Sequence, residues 1–283
     1  MTRRILGLAI ATAVLTSPVV ARAQTWRNID ASRARVDTGP VDVRLDYTRG
    51  AVQTRPASSD SILYDLHLRY DAERVRPVVA FDTTSRRLSL GTRSREDVAR
   101  GAESAGGGEA VVELTRGAPL DLSIRLSVAT GTFDLGGLAV RRLAVYSQAG
   151  ESKIRFDTAN AVPMTSLELD ATAATIHASR LGNANAERIR VTARAASAEL
   201  DLGGDWSRDL ELDIDVTLGK VTVRVPADVG VELEARRLLG TVESAGLSRS
   251  GDVHTSANLA VARRKVRIRA NATLAKIELI HDR

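Results

Sequence analysis

The chain has no cysteine, and aromatic residues make up only 3% of its 283 positions. The first absence excludes a disulfide framework and thiolate metal ligation. It also excludes lipid attachment to a cysteine behind a secretory leader. The second absence disfavours the stacking platforms with which sugar clefts and single-strand nucleic-acid grooves hold their ligands. Ile5 to Leu15 is apolar but too short to cross a bilayer, and no later run is long enough. The four histidines, His67, His177, His254 and His281, are too far apart in sequence to form a paired metal motif.

What is present begins with an export signal. Arg3 and Arg4 precede the apolar run, and Ala21-Arg22-Ala23 supplies an A-x-A cleavage site behind it. We expect cleavage before Gln24 and no membrane span after it. Removing Arg3, Arg4 and Arg22 leaves 37 basic against 35 acidic residues, a net charge of +2. That is too little for an electrostatic case for nucleic acid. A mature chain of roughly 260 residues is long enough to bury a core without disulfides.

From about residue 120 the chain repeats one phrase. Ile124, Val145, Leu167, Ile189, Leu212, Leu233 and Ile268 serve as anchors. Seven residues after each comes a small residue: Gly131, Ser152, Ala174, Ala196, Gly219, Gly240 or Ala275. Nine after comes an apolar one: Phe133, Ile154, Ile176, Ala198, Val221, Val242 or Ile277. Alternation with period two predicts short strands with one buried face, and the small residue predicts a tight corner between two of them. Coils that cannot bury a face alone must stack. The expected fold is all-β, a stacked β-repeat resembling a β-solenoid, with an atypical N-terminal capping β region.

Val43, Gly50 and Val52 repeat the phrase once near the start. Residues 63–70, 78–81 and 87–90 predict three strands of a different, capping arrangement. The division expected is a signal over 1–23, an N-terminal β region over 24–91, a Gly-rich polar loop or linker over 92–109, and a repeat domain of about seven coils over 110–283. The longer gap before Ile268 predicts a projecting loop around residues 246–258.

The phrases LYDLHLRYDAERVRPVVAFD, FDLGGLAVRRLAVYSQAGESKIRFDTAN and LDLGGDWSRDLELDIDVTLGKVTVRVPADVGVELEA resemble the toast-rack proteins. These are bacterial domains of unknown function related to the C-terminal region of LiaF-like cell-envelope stress regulators. The resemblance implies a stacked all-β fold at the envelope and brings no catalytic residues.

Chemistry-bearing patterns are sparse. Gly246-Leu-Ser-Arg-Ser-Gly251 lacks the glycine spacing and the strand-turn-helix context of a nucleophile elbow. Asp201, Asp205 and Asp209 surround Gly203, Gly204 and Trp206, but their spacing is not that of a calcium loop, and Asp and Gly equally build turns. Asn183 and Asn185 suit a corner between coils. The outward positions Asp134, Arg155, His177, Glu199, Thr222, Glu243 and Glu278 change sign from coil to coil, as a solvated face does.

The one charged feature that stands out is a candidate anion-binding stripe, Lys265, Arg267 and Arg269, which share one face of a strand. The repeat register offers an alternative, with Glu232 facing Arg267 and Glu234 facing Arg269. The expected function is an exported, non-catalytic envelope or cell-surface binding or structural module without a cofactor. Its partner is expected to be an envelope component or another protein. An accessory sensor of envelope stress and a polysaccharide-acting enzyme on a β-helix are the alternatives.

Overall fold

The computed structural model describes residues 25–95 and 107–282; the expected signal and most of the polar stretch 92–109 lie outside the described residues. Strands come in the order β1 (Trp26–Ala34), β2 (Val41–Pro56), β3 (Ile62–Asp71), β4 (Val75–Asp82), β5 (Arg87–Ser94), β6 (Glu109–Leu114), β7 (Leu120–Asp134), β8 (Val140–Arg155), β9 (Met164–Thr172) and β10 (Ala174–Ser179). There follow β11 (Ala186–Arg194), β12 (Ser197–Asp201), β13 (Leu210–Thr217), β14 (Lys220–Val225), β15 (Val229–Leu238), β16 (Thr241–Ala245), β17 (Leu247–Ser250), β18 (Val253–Ser256), β19 (Arg264–Thr273) and β20 (Lys276–His281).

Bends in the long strands β2, β7 and β8 fold this network into two facing sheets. Sheet I runs β4, β5, the first halves of β2, β7 and β8, then β9, β11, β13, β19, β15, β18 and β17. Sheet II runs β1, β3, β6, the second halves of β2, β7 and β8, then β10, β12, β14, β20 and β16. Pairing is parallel through the stack, and antiparallel strands close both ends. Each layer contributes one strand to each sheet, the arrangement of a β-solenoid.

Alternation sets which side chains fill the space between the sheets. Val43, Leu122, Leu143, Leu167, Ile189, Leu212, Ile268 and Leu233 line up across sheet I, each at most 2% exposed. Ser152, Ile176, Ala198, Val221 and Ile277 line up on the facing side of sheet II and are equally buried. Burial of each large aliphatic side chain contributes roughly 1.5–3 kcal/mol.

The alignment of the first two coils is two residues out. Leu122 and Leu143, rather than Ile124 and Val145, stand in the column of Leu167. Gly131 and Ser152 therefore occupy the facing apolar column, and the corner belongs to Ala129 and Gly150. A shift of two preserves the face of every side chain, so hydrophobic alternation does not distinguish the two registers. With this correction the corner column reads Gly50, Ala129, Gly150, Ala174, Ala196, Gly219, Ala275 and Gly240. Space is the reason for small residues: a Cβ on Gly219 would run into the carbonyl oxygen of Ala196.

The last coil is not stacked last. The layer of β19 and β20 sits between that of β13 and β14 and that of β15 and β16. The insertion interleaves opposite charges on the outer face. The outer face carries Arg188 and Arg190 on β11, Glu211 and Asp213 on β13, Arg267 and Arg269 on β19, and Glu232 and Glu234 on β15. Stacking in chain order would set two acidic strands side by side, which is unfavourable for directly opposed like charges. The inserted strand makes the sign alternate at every step.

The ends depart from the expected picture in two places. Residues 246–258 hold a hairpin, β17 and β18, that continues sheet I antiparallel to β15. Of the three expected N-terminal strands, β3 pairs antiparallel with β1 and β6, and β4 with β5, but β5 joins the parallel stack beside β2. Buried asparagines close the return turns. Asn160 donates to the carbonyls of Val140 and Val162, and Asn183 donates to that of Phe156.

Candidate functional site

The outer face of sheet I has a depression of about 520 Å³. Its floor is small: Ser123 on β7, Ala144 on β8 and Ser166 on β9. Asp42 and Asp121 stand at one end and Arg188 and Arg190 at the other, with Arg142 and Glu168 between. Because Ser166 pairs with Arg142 rather than with Ala144, the floor steps diagonally across the strands.

Most charges around the depression are already engaged. Arg141 and Arg142 both donate to Asp121 at 2.7 Å. Burial works to raise the pKa of Asp121, but these two hydrogen bonds outweigh it and hold the carboxyl below its ordinary value. Arg188 donates twice to Glu211, at 2.8 and 3.2 Å, which lowers the pKa of Glu211. Arg190 and Glu168 are neighbours in register, yet they point apart. Arg190 reaches only to 4.0 Å from Asp213, and Glu168 accepts from the Tyr146 hydroxyl at 3.3 Å. The Tyr146 ring in turn carries the Arg125 guanidinium 5.1 Å from its centre. The depression thus offers one loosely held cation, one carboxylate without a cationic partner among the described residues, and two serine hydroxyls.

The sequence did not point to this place. Its small residues are unremarkable singly, and the two-residue shift of the first coils hides which charges surround them. The pattern Ser123, Ala144, Ser166, each just before an anchor, was the available signal.

The candidate stripe lies further along the same face, on β19. Arg267 Nε donates to Glu232 at 3.2 Å, and Arg269 Nη1 to Asp213 at 3.4 Å. Glu234, which faces Arg269 in register, accepts instead from Arg236 at 2.9 Å. Lys265 donates its backbone N–H to Asp209 at 3.0 Å. The structure therefore keeps Arg267 and Arg269 on one face, as expected, but draws both into cross-strand pairs.

The other motifs resolve locally. Asp201 accepts from the backbone of Gly203 at 2.8 Å and of Arg180 at 3.3 Å, while Trp206 donates to Leu202 at 2.7 Å and packs over Gly182. His177 stands on the outer face of sheet II between Glu199 at 3.0 Å and Glu151 at 3.5 Å. His254 is buried in the terminal hairpin, with Ser244 Oγ 2.6 Å from its Nδ1.

The fold is a capped, two-sheet parallel β-stack. No protein-family model matches the chain, and no curated protein matches it. Solved structures similar to it include a candidate cell adhesion protein from Clostridium sporogenes, with 11% identity over 90% of this chain and 100% of that one and a TM-score of 0.47. Others are candidate adhesins from Bacteroides fragilis (7% identity, 90% and 97% coverage, TM-score 0.40) and Parabacteroides distasonis (9%, 90% and 97%, 0.32).

Proposed function

We propose that this chain is an exported, non-catalytic binding module of the cell envelope or cell surface, and that the depression on sheet I receives a polar segment of its partner. The observation that carries this reading is that Arg190 and Glu168, neighbours in register, do not pair with each other beside the Ser123 and Ser166 hydroxyls, on a floor of hydrogen-bonded strands. A ligand with both donors and acceptors, such as a protein segment or an envelope polymer, fits that mixture. The chemistry is less suited to acid–base catalysis. A general acid near neutral pH needs a raised carboxyl pKa, whereas that of Asp121 is lowered. The resemblance to toast-rack proteins supports the envelope as the setting.

The test is capture from envelope extracts. Ser123→Trp fills the depression from an outward position without touching the core. The wild type should retain a specific partner and Ser123→Trp should lose it, while Thr222→Ser on sheet II behaves as wild type. Equal capture by all three would overturn the assignment of this face.

A further inference from the structure

From the layer of β7 onward, one edge of the stack is apolar and mostly exposed. The residue just before the corner position is Arg49 on β2, and from β7 onward it reads Val128, Ala149, Ala173, Ala195, Leu218, Leu274 and Leu239 in spatial order. At roughly 4.8 Å per layer these seven residues span about 29 Å. The leucines gather in three adjacent layers, because insertion of β19 and β20 brings Leu274 between Leu218 and Leu239. Leu218 donates its N–H to the Thr273 carbonyl, and Leu274 to that of Leu238. Their exposures are 57%, 52% and 81%, and neighbouring Leu238 is 64% exposed.

Local physics does not favour leucine here. Leu218, Leu239 and Leu274 have φ of 54°, 54° and 50°. This left-handed region crowds a Cβ against the neighbouring carbonyl oxygen, and asparagine or glycine fits it better. Leucine is thus both strained and solvated at three separate points of the chain that folding brings together.

The surroundings are basic. Lys220 and Lys276 follow Leu218 and Leu274 by two residues, Arg236 and Arg237 precede Leu238, and Arg194 lies one layer below Leu218. The two lysines reach outward to Glu278 and Glu243 at 2.8 Å, in exposed pairs that a phosphate can replace at little cost. Arg237 has no ion-pair partner among the described residues.

We propose that this edge docks the protein on an anionic lipid bilayer surface, with the four leucines entering the headgroup boundary and the basic rim meeting lipid phosphates. Charge complementarity favours a bilayer, since basic side chains near an anionic membrane are attracted to its surface potential. Exposure favours it too: the leucine side chains stand more than half exposed, and a fluid interface accepts protruding aliphatic tips without a matching pocket. A second copy is a poorer occupant. Four leucine side chains cover less than the roughly 800 Å² that each partner gives to a stable interface, and protein hot spots seldom rest on leucine.

Flotation of the purified chain with phosphatidylcholine vesicles, with and without phosphatidylglycerol, tests the proposal. The wild type should float with the anionic vesicles only. Leu218→Asn/Leu239→Asn/Leu274→Asn, chosen because asparagine tolerates the backbone, should lower partitioning by at least about tenfold. Lys220→Gln/Lys276→Gln/Arg237→Gln should lower it as well, and Ser123→Trp should float normally, which separates this edge from the depression on sheet I. Failure of the wild type to float, or equal flotation of the leucine variant, would overturn the proposal. So would concentration-dependent dimers in light scattering that the leucine variant abolishes, because the occupant would then be a second copy.

Discussion

Arg269 donates to Asp213 across 3.4 Å although 56 residues separate them. The contact exists because the final coil enters the stack one layer early. Arg267 is placed in the same way between Glu211 and Glu232. The charge order of the outer face thereby records the topology.

Reversing that charge should reveal it. Arg267→Glu/Arg269→Glu sets three acidic strands together and should destabilise by about 1–2 kcal/mol, since each exposed pair contributes a fraction of a kcal/mol to about 1. Adding Glu232→Arg/Glu234→Arg, on the side of β19 away from Arg188, should restore part of the loss, and high salt should shrink the deficit. Urea melts at low and high salt check this. A deficit independent of salt and not rescued would count against the ladder. Binding of the same variants to envelope glycans at low salt tests the stripe itself.

Gly219→Val should be among the more damaging single changes in the stack. Its Cβ meets the Ala196 carbonyl, a backbone atom that cannot swing aside. We expect a loss of about 2–4 kcal/mol, against little for Thr222→Ser on the outer face. Equal melting temperatures for the two variants would contradict the corner assignment.

Leu274→Asn should act in the opposite direction. Relief of left-handed strain at an exposed site should stabilise by about 0.5–1 kcal/mol, a rise in Tm of roughly 2 °C. A lower Tm would show that the leucine packs usefully within the monomer.

His254 should make the terminal hairpin sensitive to acid. Burial lowers its pKa, with Arg249 and Arg237 adding repulsion of the charged form. A folded-state value below the unfolded one near 6.5 means that stability is complete above that pH and is lost as pH falls through the folded value. His67, whose pKa is raised by its hydrogen bond to Asp30, has the opposite sense, so the measurement belongs in a His67→Gln background. There His254→Gln should flatten the fall in stability between neutral and mildly acid pH. An unchanged slope in urea melts would exclude His254 as its source.

The sequence by itself determined the strands, their buried faces and the small corners. These depend on alternation and on the size of single residues, which any local stretch displays. Gly219 and Ala196 were recognisable as corner residues for that reason. Only the tertiary structure decided the order and register of the layers. A two-residue shift leaves every face unchanged, so alternation could not place Leu122 and Leu143 beside Leu167. Nor could it show that β19 lies between β13 and β15, an adjacency that brings together opposite charges from strands distant in sequence. The depression on sheet I follows from the register of the first coils, and the row of Leu218, Leu274 and Leu239 from the insertion of β19 and β20. Each gathers residues from separate coils, and their adjacency is a property of the stack rather than of any segment.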